Sequence, residues 1–511
     1  MQIVGRLIKK TAEIGHKRSS KKGFSFENQS STLFKLIEFA KKTNFGKSHQ
    51  FGDVLEHSDF IEEYQKNVPI MEYEKFYQTW LHRTIDGVKD NTWPGHVKHF
   101  ALSSGTTGSP SKRIPVSQQM IRSFQKTSIK QMATLLNLNL PPAFFQKSIL
   151  TVGGSTKLQK IENHIEGDLS GILKKHTTWI VSPFTRPGTK TTNLKDWNKK
   201  LEIMVQEAPS WDIGIVAGVP SWCIMLMERI VEHYQLKSIH DIWPNFQVYV
   251  HGGVFIQPYL KRLERVVGQP VHLLNTYLAS EGYFAYQLSP EKEGMQLLLN
   301  AGIFYEFVPF NAEYFNADGS LKNKYNALTL KQVEKGVDYA LVITTNAGLW
   351  RYILGDLVQF TDLENCEIKI TGRIKQYLSL VGEHVSLDNM QEALNAVSAE
   401  KDVEIQEYCV FADPIRQGHV WTLGVDKSVD AEAISVCLDR HLAALNDDYA
   451  SVRKYNLKQP ELQCIPTEYF YEFMEKLGKL GSQNKFPRVM NEHQATQWKQ
   501  FLKEKKQEVK A

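Results

Sequence analysis

Ten consecutive residues constrain this chain more than any other segment: Ser103-Ser104-Gly105-Thr106-Thr107-Gly108-Ser109-Pro110-Ser111-Lys112. They follow a short apolar run, Val97–Leu102, that reads as a strand. They precede Ser117, an N-cap for a helix with Met120, Ile121 and Phe124 on one side. Two glycines let the backbone turn tightly and approach a ligand closely. Hydroxyl side chains and free backbone N–H groups surround an anion, and Lys112 adds a positive charge. Such a loop between strand and helix suits phosphates. It is not the Walker pattern, since three residues separate Gly108 from Lys112 and Arg113 follows.

A chain of 511 residues is too long for one hydrophobic core. Leu33, Leu36, Ile37 and Ala40 predict a helix over 31–42. Strand and helix signals then alternate. Trp211–Gly218 reads as a strand, followed by a helix Ser221–His233 with Pro220 in its first turn. Phe246–Val250 and Val271–Leu274 read as strands, and 295–310 and 339–361 are strand-rich. The tail changes register: helices over 389–397 and 430–445, strands over 404–411, 419–425 and 462–466. The expected fold is α/β, a large N-terminal domain of mixed sheets and helices (1–374) and a small α+β domain (375–511). The boundary lies near Gly372–Tyr377.

The net charge of +5 is small against 61 basic and 56 acidic residues, so neither a nucleic acid nor a membrane surface is expected as a partner. The basic start, with Lys9, Lys10, Lys17, Arg18, Lys21 and Lys22, reads as a solvated arm without the apolar core of a signal peptide. No run approaches the ~20 apolar residues that span a bilayer. Five scattered cysteines, with no C-x-x-C pair, argue against a disulfide framework or a zinc site. A cytoplasmic monomer is expected.

Several further segments carry chemistry-bearing residues. Tyr277-Leu278-Ala279-Ser280-Glu281 reads as a strand end with a carboxylate. Gly355-Asp356 closes the segment Gly348–Asp356. Gly372-Arg373-Ile374-Lys375 is followed by Leu378–Glu383, and Gly481–Arg488 contains Lys485. His251-Gly252-Gly253 follows the Phe246–Val250 strand as a tight turn, and Val152-Gly153-Gly154-Ser155 follows another apolar run. No G-x-S-x-G elbow, H-E-x-x-H or G-x-G-x-x-G is present.

The hydroxyl-rich loop resembles the phosphate loop of the acyl-adenylate-forming superfamily: acyl-CoA synthetases, peptide-synthetase adenylation domains and luciferases. More narrowly, FALSSGTTGSPSKRIPVS at 100–117 resembles the auxin-responsive promoter family of acyl-acid amido synthetases, which conjugate auxin or jasmonate in plants and have bacterial relatives. TNFGKSHQF at 43–51, VPIMEYEKF at 68–76 and AGVPSW at 217–222 fit the same family.

The resemblance implies an ATP site built from Ser103, Ser104, Gly105, Thr106, Thr107, Gly108, Gly252, Gly253, Tyr277, Ser280, Asp356 and Arg373. Tyr277 would stack on adenine and Ser280 would contact the α-phosphate. Asp356 would bind both ribose hydroxyls, which a carboxylate does well by accepting two hydrogen bonds. Glu281 would hold Mg²⁺, a hard cation that takes carboxylate and phosphate oxygens together. Arg373 would reach the ribose or phosphates, and Lys375 would sit at the pivot between domains. Lys485, with Lys112 and Glu281, would be catalytic as the mobile adenylation lysine; Lys479 is the rival. Ile353 departs from the family, whose plant members often carry Arg there. Val152–Ser155 would line the acyl pocket.

The implied reaction is ATP-dependent adenylation of a carboxylic acid, then transfer of the acyl group to an amino acid. Coenzyme A as acceptor, or a non-catalytic nucleotide- or acid-binding sensor on the same fold, are the alternatives.

Overall fold

The computed structural model describes residues 26–103, 112–153, 158–176, 184–194, 196–316, 319–374, 378, 380–381, 383, 385–479 and 485–508. It is a mixed α/β structure. The first described helix, Phe26–Ala40, buries Leu33, Leu36, Ile37 and Ala40, the face its spacing predicts. It begins a turn earlier than expected because a polar residue is part of its buried face. The Gln29 amide donates to the carbonyls of Leu299 (2.9 Å) and Ile303 (3.0 Å) and accepts from the Tyr305 N–H at 2.8 Å. An apolar pattern cannot register such an anchor.

The main sheet has eleven strands. In spatial order they are Ile303–Pro309, Tyr339–Thr345, Tyr352–Asp362, Glu367–Arg373, Met295–Leu297, Gly282–Tyr286, His272–Ala279, Val248–Gly252, Ile213–Gly218, Ser148–Val152 and Thr185–Arg186. From His272–Ala279 to Thr185–Arg186 neighbours are parallel; the remaining pairs are antiparallel. The helix Pro220–His233 starts on Pro220, where the missing N–H costs nothing. It packs Trp222, Ile224, Leu226 and Met227 with Trp243 and Tyr249 over the parallel half.

The hydroxyl-rich loop does not run from strand to helix. It joins two antiparallel strands, His99–Ser103 and Lys112–Val116, with Ser103 opposite Lys112. Lys-Arg-Ile-Pro-Val shows no alternation and Pro115 has no N–H to pair, so the second strand is silent in the sequence. The helix follows as expected: Ser117 Oγ accepts from the Met120 N–H at 3.0 Å, and Met120, Ile121 and Phe124 are buried. Ser104, Gly105, Thr106, Thr107, Gly108 and the rest of 104–111 lie outside the described residues, as do Gly154, Ser155 and Lys375.

Beyond Arg373 the chain builds cores of its own. A three-stranded sheet, Glu407–Asp413, Gly418–Gly424 and Lys458–Ile465, carries the helices Leu387–Lys401 and Ala431–Leu445 on one cluster. Two helices the sequence did not suggest, Glu468–Lys476 and Glu492–Glu508, close a second cluster through Phe470, Phe473, Trp498 and Phe501.

All five cysteines are free thiols. Among the described residues, Glu400, Cys437 and His441 have metal-ligand chemistry at close range. The Arg440 guanidinium already bonds Glu400 and lies 3.6 Å from Cys437 Sγ and 3.3 Å from His441 Nε2. No described helix is long and apolar enough to cross a membrane.

Candidate active site

The parallel strands Ser148–Val152, Ile213–Gly218, Val248–Gly252 and His272–Ala279 finish at one edge of the sheet, where open α/β sheets bind ligands. His251 and Gly252 belong to the strand, so the expected three-residue turn reduces to Gly253, whose φ is +85°. The backbone is bare here for a reason. A β-carbon on Gly252 would stand 2.4 Å from the Thr276 carbonyl oxygen, and one on Gly253 3.0 Å from Lys485 Nζ.

Lys485 thus reaches from the C-terminal part onto this edge. The protein around its ammonium and the nearby Arg373 charge lower its pKa to about 8, with Asp356 opposing. The residue as a whole remains exposed. Lys479 is placed differently; its N–H caps the helix Glu468–Lys476 on the Met474 carbonyl at 2.8 Å.

Asp356 lies inside the strand Tyr352–Asp362, directly across from Arg373. Arg373 Nε donates to Asp356 Oδ1 at 2.7 Å and the Tyr277 hydroxyl donates to Oδ2 at 2.7 Å. Burial and the Asp356 charge hold the Tyr277 phenol far above its ordinary pKa, so it stays a donor. Each carboxylate oxygen keeps a lone pair for a further donor. The Tyr277 ring is 4% exposed and packs on Phe284 at 4.9 Å. Its hydroxyl thus serves Asp356, a role the motif did not reveal.

Ser280 and Glu281 form the two-residue turn between His272–Ala279 and Gly282–Tyr286, with Ala279 opposite Gly282. Glu281 is buried. Burial raises its carboxyl above the usual range, and the Lys112 charge is the strongest influence pulling it back. Lys112 itself lies over the Tyr73 ring, 5.1 Å from Nζ to the centroid. Tyr73 also accepts the Arg113 N–H through its hydroxyl at 2.8 Å. Arg113 turns away to pair with Glu166, Nε to Oε2 at 2.7 Å. Tyr73 was not singled out in the sequence because, among the several aromatics of 73–80, nothing in its spacing ties it to Lys112.

The structure therefore gathers Lys485, Gly252, Gly253, Asp356, Arg373 and Tyr277 along one edge. Glu281 is electrostatically coupled to Lys112, Asp356 and Arg373, and Ser103 and Lys112 stand at the mouth of the loop.

Three family descriptions match the chain: "GH3 family N-terminal domain" over residues 25–160, "GH3 family central domain" over 296–373 and "GH3 family C-terminal domain" over 388–494. The chain belongs to the GH3 family. Its curated relatives include a jasmonoyl–L-amino acid synthetase, GH3.5, of Oryza sativa subsp. japonica, 30% identical over 278 residues (50% of this chain, 47% of the relative). An indole-3-acetic acid-amido synthetase, GH3.4, of Arabidopsis thaliana is 31% identical over 277 residues (50% and 45%). The chain thus spans about half the length of the curated relatives it matches.

The GH3 fold extends further than that sequence match. The solved GH3.15 acyl acid amido synthetase superposes with a TM-score of 0.75 at 16% identity, covering 98% of this chain and 96% of that one. A 2-hydroxyisobutyryl-CoA ligase in its postadenylation state gives 0.60 at 11% identity, covering 94% and 91%. Within this GH3 chain, Arg351 is a structural member of its motif. It is buried at φ +41°, bonds Glu306 through Nη2 at 2.8 Å, and donates through Nη1 to the Gln65 and Val68 carbonyls. Ile353 packs in an apolar cluster with Ile70, Val308 and Phe315.

Proposed function

We propose that this protein converts a carboxylic acid and ATP to acyl-AMP and pyrophosphate, then passes the acyl group to an amino acid to give an amide and AMP. One observation carries the reading: the Lys485 ammonium rests on Gly253 at the edge where Asp356 and Arg373 meet. Family membership, and relatives named for amide synthesis, support it.

The chemistry needs no protein nucleophile. An oxygen of the substrate carboxylate attacks the α-phosphorus in line as the bond to pyrophosphate breaks. The site supplies alignment and charge. Asp356, oriented by Tyr277 and Arg373, receives the ribose hydroxyls. Gly253 gives Lys485 room to approach the backbone, and Gly252 lets its strand lie against Thr276. Ser103 to Gly108, Ser280 and Lys112 take the phosphates, and Lys485 offsets the charge that develops between the attacking and leaving oxygens. Glu281 fits Mg²⁺: its buried carboxylate is held above its ordinary pKa and gains most from a hard cation. When bound, that ion neutralises phosphate charge. In the second step the amine nitrogen attacks the acyl carbon, AMP leaves with the oxygen that came from the acid, and the amine loses a proton.

The division at 374/375, with Lys375 as pivot and Lys485 on the smaller body, belongs to the same reading, as does work in the cytoplasm as a monomer. Acid-dependent exchange of pyrophosphate into ATP with a panel of acids tests the first step, and amino acids or coenzyme A then test the second. Amide with AMP is expected. Thioester formed only with coenzyme A would make the protein a CoA ligase, and ATP binding without exchange would make it a sensor.

A further inference from the structure

Beneath Lys485 a buried polar seam links the two bodies. Tyr259 and Arg262 come from the large body, at the start of the helix Leu260–Val266. Glu407 opens the first strand of the small sheet, Tyr471 lies on Glu468–Lys476, and Arg488 follows Lys485 by three residues. The Tyr259 hydroxyl donates to Glu407 Oε1 at 2.9 Å, and the Tyr471 hydroxyl donates to the same oxygen at 3.2 Å. Arg488 Nη2 donates to the Tyr259 hydroxyl at 3.2 Å, and Arg262 Nη1 to the Tyr471 hydroxyl at 3.2 Å. Arg488 Nη1 stands 2.5 Å from Glu407 Oε2, a close ion pair. Tyr259, Arg262 and Glu407 are all buried.

Buried ion pairs are weak sources of stability but leave heavy penalties when half-broken. The partition of charges here avoids that penalty. Glu407 and Arg488 both lie on the small body, and Arg262 stays with Glu228 (Nε to Oε1 2.9 Å) on the large one. If the bodies part, each of these four charges keeps its partner. Within the seam only hydroxyl-mediated bonds are lost, and those groups can turn to water; at the rim the Arg265–Glu404 ion pair and the Asn198–Glu475 bond separate as well. Such a seam specifies one orientation without locking it. The Arg488 carbonyl also accepts the Val410 N–H at 2.8 Å, so the short segment carrying Lys485 is fixed to the small sheet.

We propose that Tyr259 and Arg262, meeting Glu407, Tyr471 and Arg488, form a latch that holds Lys485 on Gly253 for adenylation and opens before acyl transfer. These are positioning residues, and their part in the reaction rests on the adenylation reading above.

The test uses a reporter at the rim of the seam. Asn198 Nδ2 donates to Glu475 Oε1 across the bodies at 3.0 Å, and both residues are exposed. In the full-length Asn198→Cys/Glu475→Cys protein, a short bis-maleimide should cross-link the bodies, with the wild type as background. Tyr259→Phe or Tyr471→Phe, which remove single hydroxyls and leave the packing intact, should each slow cross-linking several-fold. Each should slow pyrophosphate exchange by about tenfold, the scale of one hydrogen bond to a charged group. Conversion of chemically supplied acyl-AMP to amide should be unchanged or faster. Unchanged cross-linking in both variants overturns the latch, as does equal slowing of both half-reactions. Slower cross-linking in a protein that forms no acyl-AMP from any acid keeps the latch and removes the adenylation reading.

Discussion

The ammonium of Lys485 stands 3.0 Å from the point where a β-carbon on Gly253 would lie. The lysine comes from the C-terminal part and the glycine from the sheet edge of the large body, so the contact exists only in one arrangement of the two. Asp356, Arg373 and Tyr277 lie beside it, and on the proposed reading this arrangement serves the step in which pyrophosphate leaves.

Gly253→Ala should therefore impair adenylation specifically. The methyl group would push Lys485 aside, and φ of +85° costs a non-glycine residue about 1–2 kcal/mol. Pyrophosphate exchange should fall by about tenfold or more, with the melting temperature lowered by only a few degrees. Exchange at the wild-type rate would show that the lysine does not need this bare backbone.

Asp356→Ala should weaken MgATP binding by about 1.5–3 kcal/mol, the scale for hydrogen bonds to a charged group. Tyr277→Phe, which removes one of the two bonds that orient Asp356, should have a smaller effect in the same direction. Calorimetry of both variants checks the order. Wild-type affinity in Asp356→Ala would remove that carboxylate from the nucleotide site.

The depressed pKa of Lys485 gives a pH signature. A base lowered to about 8 is charged below that pH and loses its charge as the pH rises through it. The kcat/KM for MgATP in exchange should therefore decline above about pH 8. The kcat should decline at higher pH, because bound phosphates stabilise the ammonium. Lys485→Arg should abolish the alkaline decline whatever its absolute rate. An alkaline limb that persists in Lys485→Arg would assign it to another group.

Much of this was legible in the sequence, for identifiable reasons. Repeating apolar faces gave the helices at Leu33–Ala40 and Met120–Phe124, and the alternation of strand and helix gave the α/β class. Local motifs pointed to Asp356 and Lys485, which the structure brings close to each other. The strand Lys112–Val116 stayed hidden because its composition is charged and proline-bearing, and only its partner His99–Ser103 makes it a strand. The helix Glu492–Glu508 stayed hidden because it is mostly Lys, Glu and Gln, with Trp498, Phe501 and Leu502 doing its burial. The bond from Tyr277 to Asp356 and the seam at Tyr259 join residues 79 and 148 positions apart. Such pairs have no signature in a single sequence, since spacing along the chain says nothing of which strand edges will meet.

Lys485→Ala should separate the two half-reactions. Loss of one preorganised charge costs about 10²–10³ in rate at a transition state. Acid-dependent pyrophosphate exchange should fall on that scale while supplied acyl-AMP still yields amide. Equal losses in both would make the lysine structural and turn attention to Lys479.

The central claim, that the acid is activated on the α-phosphorus, is tested most directly by following an oxygen. With a carboxylic acid labelled in both oxygens with ¹⁸O, attack on the α-phosphorus followed by amide formation must leave one labelled oxygen in AMP. Mass spectrometry of the nucleotide products should find AMP carrying a single ¹⁸O and no ADP. Unlabelled AMP, or ADP with the label in inorganic phosphate, would contradict the account.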